Sequence, residues 1–297
     1  MKTKNSNLIF QSIILGMCLI LIYSCHKKDD PSVPLPDITM VSIPAGTFTM
    51  GSPTSEVSRD PDETQYTVTL SAFRMSKNEI TNAQFAVFLN AKNIGSNGIY
   101  AGGSFPTQIL VYPSTGNLDW GLHFTGGKWV PVAGYENHPA IFLTWYGASE
   151  FATYMGGHLP TEAQWEYACR AGTTTPLNTG SCLSNTQANY NWSSPYNTCT
   201  NTNTTPPGAT LAVGTYAGNA YGLNDMHGNA WEWCSDWSGS YPATTQTNPT
   251  GPATGTSRVI RGGSCIYYAK YCRSADRNNS SPDSYSGFVG IRLVLAP

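Results

Sequence analysis

The chain has 297 residues, a formal net charge of -2 and only 11% Asp, Glu, Lys and Arg, against about 25% in an ordinary soluble domain. Its 16 basic residues are scattered among 18 acidic ones, so no clustered positive surface is expected and nucleic acid is excluded as the expected partner. Hydrophobic residues at 40% can fill a sizeable core, while 29 Gly and 20 Pro demand many turns, so one large loop-rich domain is expected rather than a helical bundle.

Lys2 and Lys4 precede an apolar run from Leu8 to Ile22 that ends at Ile22-Tyr23-Ser24-Cys25. At about 15 residues it is short for a membrane span, which needs roughly 20, and it reads as an export signal. An aliphatic residue three places before Cys25 and a small residue just before it resemble the lipobox of bacterial lipoproteins. That resemblance implies a signal peptide over residues 1–24, lipidation at Cys25 and attachment to a membrane through the lipid; a plain signal peptide with an incidental Cys is the alternative. Residues 25–37, with Asp29-Asp30 and a Pro-rich stretch from Pro31 to Pro36, read as a solvated tether. The acidic residues after the Cys resemble the surface-export signal of Bacteroidetes lipoproteins, which implies a lipid-anchored, surface-exposed protein of the bacterial outer membrane.

The remaining domain spans 38–297. Met40 to Gly51 alternates apolar and small residues and predicts a strand pair. Thr81 with Gln84 has capping-box spacing ahead of Phe85, Phe88 and Leu89, and Thr161 with Gln164 repeats it ahead of Trp165, Tyr167 and Ala168. Between them a helix is predicted from Thr144 to the Gly156-Gly157 stop. Ile94 to Val132 and Thr173 to Thr210 read as long ordered loops, because aromatic residues and cysteines are interleaved with Gly, Asn, Thr and Pro. No internal repeat is present.

With Cys18 leaving in the signal and Cys25 taken by lipid, Cys169, Cys182, Cys199, Cys234, Cys265 and Cys272 remain, an even number for an oxidising compartment. No zinc-ligand spacing occurs, so disulfides are expected. Cys182 and Cys199 would close a loop of about 18 residues and are the expected local bridge. No nucleophile elbow, metalloprotease helix or phosphate loop is present. The five histidines, His26, His123, His138, His158 and His227, are isolated and read as hydrogen-bonding residues rather than bases.

The strings MVSIPAGTFTMGS, EITNAQFAVFL, HLPTEAQWEYACRAG, YGLNDMHGNAWEWCSDW and RVIRGGS with a terminal GFVGIRLV together resemble the sulfatase-modifying-factor family, typified by formylglycine-generating enzyme. The resemblance implies an α+β fold, irregular and loop-rich, with a C-type-lectin-like core. That family includes copper-dependent oxidases, envelope-machine lipoproteins and non-catalytic binders, and membership alone does not choose among them. In its oxidases two cysteines, three and eight positions after the Ser of GGS, hold copper(I) as soft thiolates. Here Ser264 is that Ser, the first position is Tyr267, and Cys272 fits either the second or the family's structural cysteine. On the second alignment the resemblance implies a Cys169–Cys272 disulfide, which leaves Cys234 with Cys265. If the chain is an oxidase, Cys272, Cys265 and Ser264 are its candidate catalytic residues; the reading preferred is that it has none and uses no copper.

The resemblance also implies a structural calcium on Asp225, the carbonyls of Gly228 and Ala230, and Glu232, hard oxygens suited to that ion. A second calcium would use Asn189 and the carbonyl of Tyr190, but no Asp follows in the Thr202 to Thr210 loop. From Ile266 to Val289 the chain is dense in Tyr, Ser, Asn and Asp, a composition that supplies large contact area and adaptable hydrogen bonds. It resembles the variable region of diversity-generating retroelement targets. That likeness predicts a protein or glycan ligand bound by Tyr267, Tyr268, Tyr271, Asn278, Asn279 and Tyr285. A formylglycine-generating oxidase and a structural lipoprotein of a gliding or secretion machine are the alternatives.

Overall fold

The computed structural model describes residues 34–297; the expected signal peptide, Cys25 and most of the tether lie outside the described residues. No helix among the described residues is long and apolar enough to cross a membrane. Four short strands open the domain: β1 (Met40–Ile43), β2 (Gly46–Met50), β3 (Tyr66–Leu70) and β4 (Phe73–Ser76). The predicted pair is therefore two strands, but they do not pair with each other. β1 runs antiparallel to β4 and β2 antiparallel to β3, because Pro44 lies between them and removes a ladder donor.

α1 (Asn82–Ala91) starts at the expected capping box: Thr81 Oγ1 accepts the Gln84 amide at 3.2 Å, and the Gln84 side chain accepts the Thr81 amide at 2.9 Å. The loop that follows contains an element the sequence reading missed, a hairpin of β5 (Leu122–Thr125) and β6 (Lys128–Pro131). Its turn is Gly126-Gly127, both with positive φ, a dipeptide that signals a tight hairpin turn. α2 (Trp145–Tyr154) and α3 (Glu162–Arg170) begin at Thr144 and Thr161, as expected.

The remaining strands bring the C-terminal part of the domain against its opening strands. β7 (Trp231–Trp237), β9 (Arg258–Arg261), β10 (Arg277–Ser280) and β11 (Val289–Gly290) form one sheet in the order β10-β9-β7-β11, β8 (Gln246–Thr247) extends β2-β3, and β12 (Val294–Leu295) extends β1-β4. One cluster of buried side chains packs Phe85, Phe88 and Phe151 beneath Trp231 and Trp233. A second holds Trp165, Cys169 and Cys234 under β2 to β4.

Cys182 and Cys199 form the disulfide expected within the Thr173–Thr210 loop. The other two expected bridges are not formed, and Cys169, Cys234, Cys265 and Cys272 are free and buried. The side chain facing Cys169 is Ser274, whose Oγ lies 3.5 Å from its sulfur. Cys272 packs instead with Leu177, Tyr190 and Ala269. Cys234 sits in the second cluster, whereas the Cys265 amide donates to the carbonyl of Asn229 at 3.0 Å.

Peptide mapping after alkylation under denaturing, non-reducing conditions should recover Cys182 linked to Cys199 and label the other four. Cys199→Ser should lower stability by about 3 kcal/mol, the chain-entropy worth of a loop of this size. A bridge from Cys169 to Cys272 would contradict the free thiols.

Candidate functional site

After β9 the chain turns through Gly262 and Gly263, both with positive φ. At Gly263 a Cβ would sit 2.7 Å from the Cys272 sulfur and 2.9 Å from the Tyr271 carbonyl. Only glycine lets the following segment fold back this closely. The Tyr267 amide donates to the Ser264 carbonyl at 3.0 Å and the Tyr267 carbonyl accepts the Asn191 amide at 2.8 Å. A 3-10 turn at Ala269–Cys272 completes the return. Tyr267, Tyr268 and Tyr271 are thereby brought together, with the Tyr267 ring edge-on to Trp231 at 5.7 Å and to Tyr271 at 5.5 Å.

Tyr285 arrives from the far end of the segment and stacks on Tyr112 at 3.8 Å between ring centroids. Its neighbourhood is held by the Phe142 amide donating to the Ser286 carbonyl at 2.9 Å and by Trp120 Nε1 donating to the Gly287 carbonyl at 3.2 Å. Tyr112 was not foreseen. It belongs to an aromatic-rich loop whose contact with Tyr285 spans most of the chain, and no local spacing reveals such a pair. Asn278 and Asn279 are exposed on β10, the edge strand of its sheet. Ile266, Tyr267, Tyr268 and Tyr285 are 39%, 37%, 47% and 50% exposed, four of the six exposed large hydrophobic side chains among the described residues. Tyr271 is half-buried.

The candidate catalytic residues lie beneath this surface. Ser264, Cys265 and Cys272 are all buried, and the Ser264 hydroxyl has no hydrogen-bond partner. Burial pushes the Cys265 thiol up to about 12 and the Cys272 thiol well above its usual range. Both sulfurs are therefore enclosed, protonated thiols, whereas nucleophilic or metal-binding cysteine acts as thiolate. His227 is equally enclosed. Its Nδ1 lies 2.6 Å from the Cys272 carbonyl, and its Nε2 accepts the Asn178 amide at 3.0 Å.

Asp225 opens the turn that carries Gly228 and Ala230, three of the expected calcium ligands. Gly228 has φ +86°, and a Cβ there would collide with the Asn189 carbonyl, which accepts the Asn229 amide at 2.7 Å. Asn189 Oδ1 is buried without a hydrogen-bond partner, the sort of orphaned hard oxygen that fits a cation. Asp225 Oδ2 accepts the Gly214 amide at 2.6 Å. Glu232 does not fit a ligand role as arranged: Arg292 grips both its oxygens at 2.9–3.1 Å and Trp165 Nε1 donates to it at 2.7 Å. The sequence reading missed Glu79, which accepts the Asn229 side chain at 3.0 Å and the Ala230 amide at 3.2 Å. Burial raises Asp225 to about 6, with the Glu232 charge adding to it, and holds Glu79 well above the usual carboxylate range, with the Asp225 and Glu232 charges adding to it.

A sulfatase-modifying factor enzyme 1-like domain matches residues 28–297. Formylglycine-generating enzyme of Bos taurus is 33% identical over 283 residues, covering 88% of this chain and 75% of that protein. The enzyme of the same name from Thermomonospora curvata is 33% identical over 295 residues, covering 87% and 93%. Among solved structures, PvdO from Pseudomonas aeruginosa superposes with a TM-score of 0.65 at 25% identity, covering 87% and 94%. Treponema denticola variable protein 1 superposes with a TM-score of 0.62 at 22% identity, covering 90% and 98%. The α+β, loop-rich architecture expected from the motifs, with its C-type-lectin-like core, is the one observed.

His227 makes this region pH-sensitive. Burial lowers its folded-state value from 6.5 to about 4, so the unfolded chain binds the extra proton in that window and stability is lost as pH falls through it. The advantage of wild type over His227→Gln in denaturant titration should shrink by roughly 2–3 kcal/mol over this range. A constant advantage would mean that the imidazole is charged in the fold.

Proposed function

We propose a binding role for this chain, which belongs to the sulfatase-modifying factor enzyme 1-like family. It is an outer-membrane lipoprotein anchored through Cys25 that captures a protein or glycan on the surface built by Tyr267, Tyr268, Tyr271 and Tyr285, with Asn278 and Asn279 at its polar edge. The observation that carries this reading is the concentration of exposed large side chains in Ile266, Tyr267, Tyr268 and Tyr285. Exposed apolar groups gathered in one segment mark interaction surfaces, and tyrosine is a preferred anchor there.

The oxidase reading draws support from the 33% identity to formylglycine-generating enzymes. Against it, Tyr267 occupies the position of the first copper thiolate, and Cys265 and Cys272 are enclosed at 0% exposure, which leaves no open coordination position for a substrate thiol. Calcium belongs to the binding reading as a structural ion. Asp225 and the carbonyls of Gly228 and Ala230 would hold it, and Asn189 with the carbonyl of Tyr190 would hold a second ion. Glu232 contributes charge through Arg292 rather than a ligand oxygen. Three carboxylates, Glu79, Asp225 and Glu232, surround one guanidinium there, an excess that a divalent cation offsets.

The full chain, supplied with copper and oxygen, should leave a cysteine peptide bearing the sulfatase motif intact, without the loss of about 18 Da that marks exchange of a thiol for an aldehyde. Copper-dependent turnover abolished by Cys272→Ser would establish the oxidase instead. On a glycan array and in surface crosslinking, Tyr267→Ala or Tyr285→Ala should weaken capture by about 2 kcal/mol, the scale of an interface anchor, with stability unchanged. Cys25→Ala should move the protein from the membrane to the soluble fraction.

A further inference from the structure

Arg258 of β9 differs from the guanidinium groups that hold the scaffold. Arg170, Arg261, Arg273, Arg277 and Arg292 each pair with a carboxylate, whereas Arg258 has no carboxylate partner among the described residues. It is held between two indoles instead, its Cζ 3.8 Å from the ring centre of Trp145 and 3.4 Å from that of Trp237. Two rings this close to one planar group must lie on its opposite faces, so only its edges are left for hydrogen bonds. There Nη1 donates to the Ser235 carbonyl at 2.5 Å, and Nε is enclosed with no partner. Nη2 is the donor left over.

Arg258 lines a cavity of about 260 Å³ with Trp145, Ser149, Thr153, His158 and Leu159, and no Asp or Glu forms part of its wall. The carbonyls at the end of α2 are already taken. Those of Phe151, Thr153 and Ala152 accept the amides of Met155, Gly156 and Gly157 at 2.9–3.0 Å, and that of Ser149 accepts the Thr153 hydroxyl at 2.9 Å. Asp236 acts on Arg258 only through space, because its Oδ2 accepts the Glu162 amide and the Ser235 hydroxyl, each at 3.0 Å. The cavity thus presents one positive charge, the hydroxyl of Ser149 and no negative charge. Burial holds Arg258 below its usual value, the mark of a charge whose lost water nothing has replaced.

We infer that this cavity binds a carboxylate group, with Arg258 Nη2 as the charged donor and the Ser149 hydroxyl as a second donor. An unpaired guanidinium takes carboxylate, sulfate or phosphate as its partner. With no second cation in the wall, one guanidinium balances a monoanion, which selects carboxylate over the dianions. The volume falls below the roughly 300 Å³ at which sites for drug-sized molecules begin. The occupant is therefore a small free acid, or the carboxylate end of a longer chain. Trp145 Nε1 donates to the Cys234 carbonyl at 2.8 Å, so the stack that fixes the guanidinium stands before any ligand arrives, and less ordering is lost on binding. None of these residues belongs to the tyrosine surface or to the Asp225 turn, and the inference rests on neither.

Fluorine NMR of the full chain in detergent, labelled with 5-fluorotryptophan, tests it, the Trp145 signal being assigned from Trp145→Phe. Sodium acetate replacing sodium chloride at constant pH and ionic strength should move that signal saturably. Arg258→Gln should weaken acetate binding about 10-fold or more, the worth of one charge-assisted hydrogen bond. Ser149→Glu keeps the guanidinium and places a tethered carboxylate on the wall, so it should abolish acetate binding. It carries the test if Arg258→Gln fails to fold. N-acetylglycine, which models a chain end, separates the two sources: tighter binding than acetate assigns the carboxylate to a chain end, weaker binding to a small free acid, and either supports the site. A wild-type response to acetate no different from that to chloride overturns the inference. So does acetate affinity unchanged in Arg258→Gln or in Ser149→Glu, and tighter binding of sulfate or phosphate than of acetate overturns the choice of carboxylate.

Discussion

Three guanidinium groups with no solvent access, those of Arg261, Arg273 and Arg292, set the terms on which this fold exists. A charge taken fully out of water is tolerated only when it is paired and hydrogen-bonded, and removing one partner costs about 3–5 kcal/mol. Each of the three draws its partners from distant parts of the chain. Arg261 pairs with Glu166 of α3 and donates to the carbonyls of Ser274 and Ala275 at 3.0 and 2.8 Å. Arg273 reaches back to Glu56 and Glu63. Arg292 joins Glu232 of β7 to the carbonyls of Ser76, Lys77 and Asn224, each at 2.8 Å. With strands of two to seven residues, ladder hydrogen bonds alone hold little together. The ion networks tie the separate small sheets into one body.

This changes what the motifs mean. RVIRGG, EAQWEYACR, WEW and GIRLV are the strings that carry the family resemblance, and the side chains they share are largely Arg261, Glu166, Glu232 and Arg292. They encode the scaffold rather than the site. The three helices were legible because capping is local: Thr81, Thr144 and Thr161 announce their starts within four residues. Strand partners were not legible, because β1 finds β4 and β2 finds β3 across a loop whose course depends on Glu63 meeting Arg273 far along the chain. The tyrosine surface was legible in composition, and Tyr267, Tyr268 and Tyr285 are exposed as that implied. Its support was not, since Tyr112 and Trp231 reach it through contacts that leave no periodic trace.

The cysteines show the limit of counting. An even number satisfies parity, but a bridge needs two sulfurs that face each other. Cys182 is exposed and Cys199 half-buried, so neither sulfur fills a place in the interior, and the covalent link ties the loop together at its surface. Cys169, Cys234, Cys265 and Cys272 each fill a place in the interior, and a buried thiol packs as a small hydrophobe. Cys169 and Cys234 share an apolar cluster, Cys272 lies in another, and burial raises the thiols that would otherwise react. Parity therefore predicted the bridge at the surface and failed in the interior.

The same logic explains how one segment can be both rigid and exposed. From Ser264 to Asp276 the chain alternates its commitments: Ser264, Cys265, Cys272, Arg273, Ser274 and Asp276 are buried, while Ile266, Tyr267 and Tyr268 face solvent. The inward residues are held by charges and by the Gly263 turn, so the outward ones start from a fixed frame. A side chain presented on such a frame gives up less conformational freedom on binding than one on a free loop, and that saving is a large part of what separates a useful interface from an incidental patch. Substitutions at the outward positions alter chiefly what is presented, whereas substitutions at the inward ones disturb buried packing and, at Arg273 and Asp276, a buried ion pair. The architecture thus separates positions that can change from positions that cannot, residue by residue along a single stretch of chain.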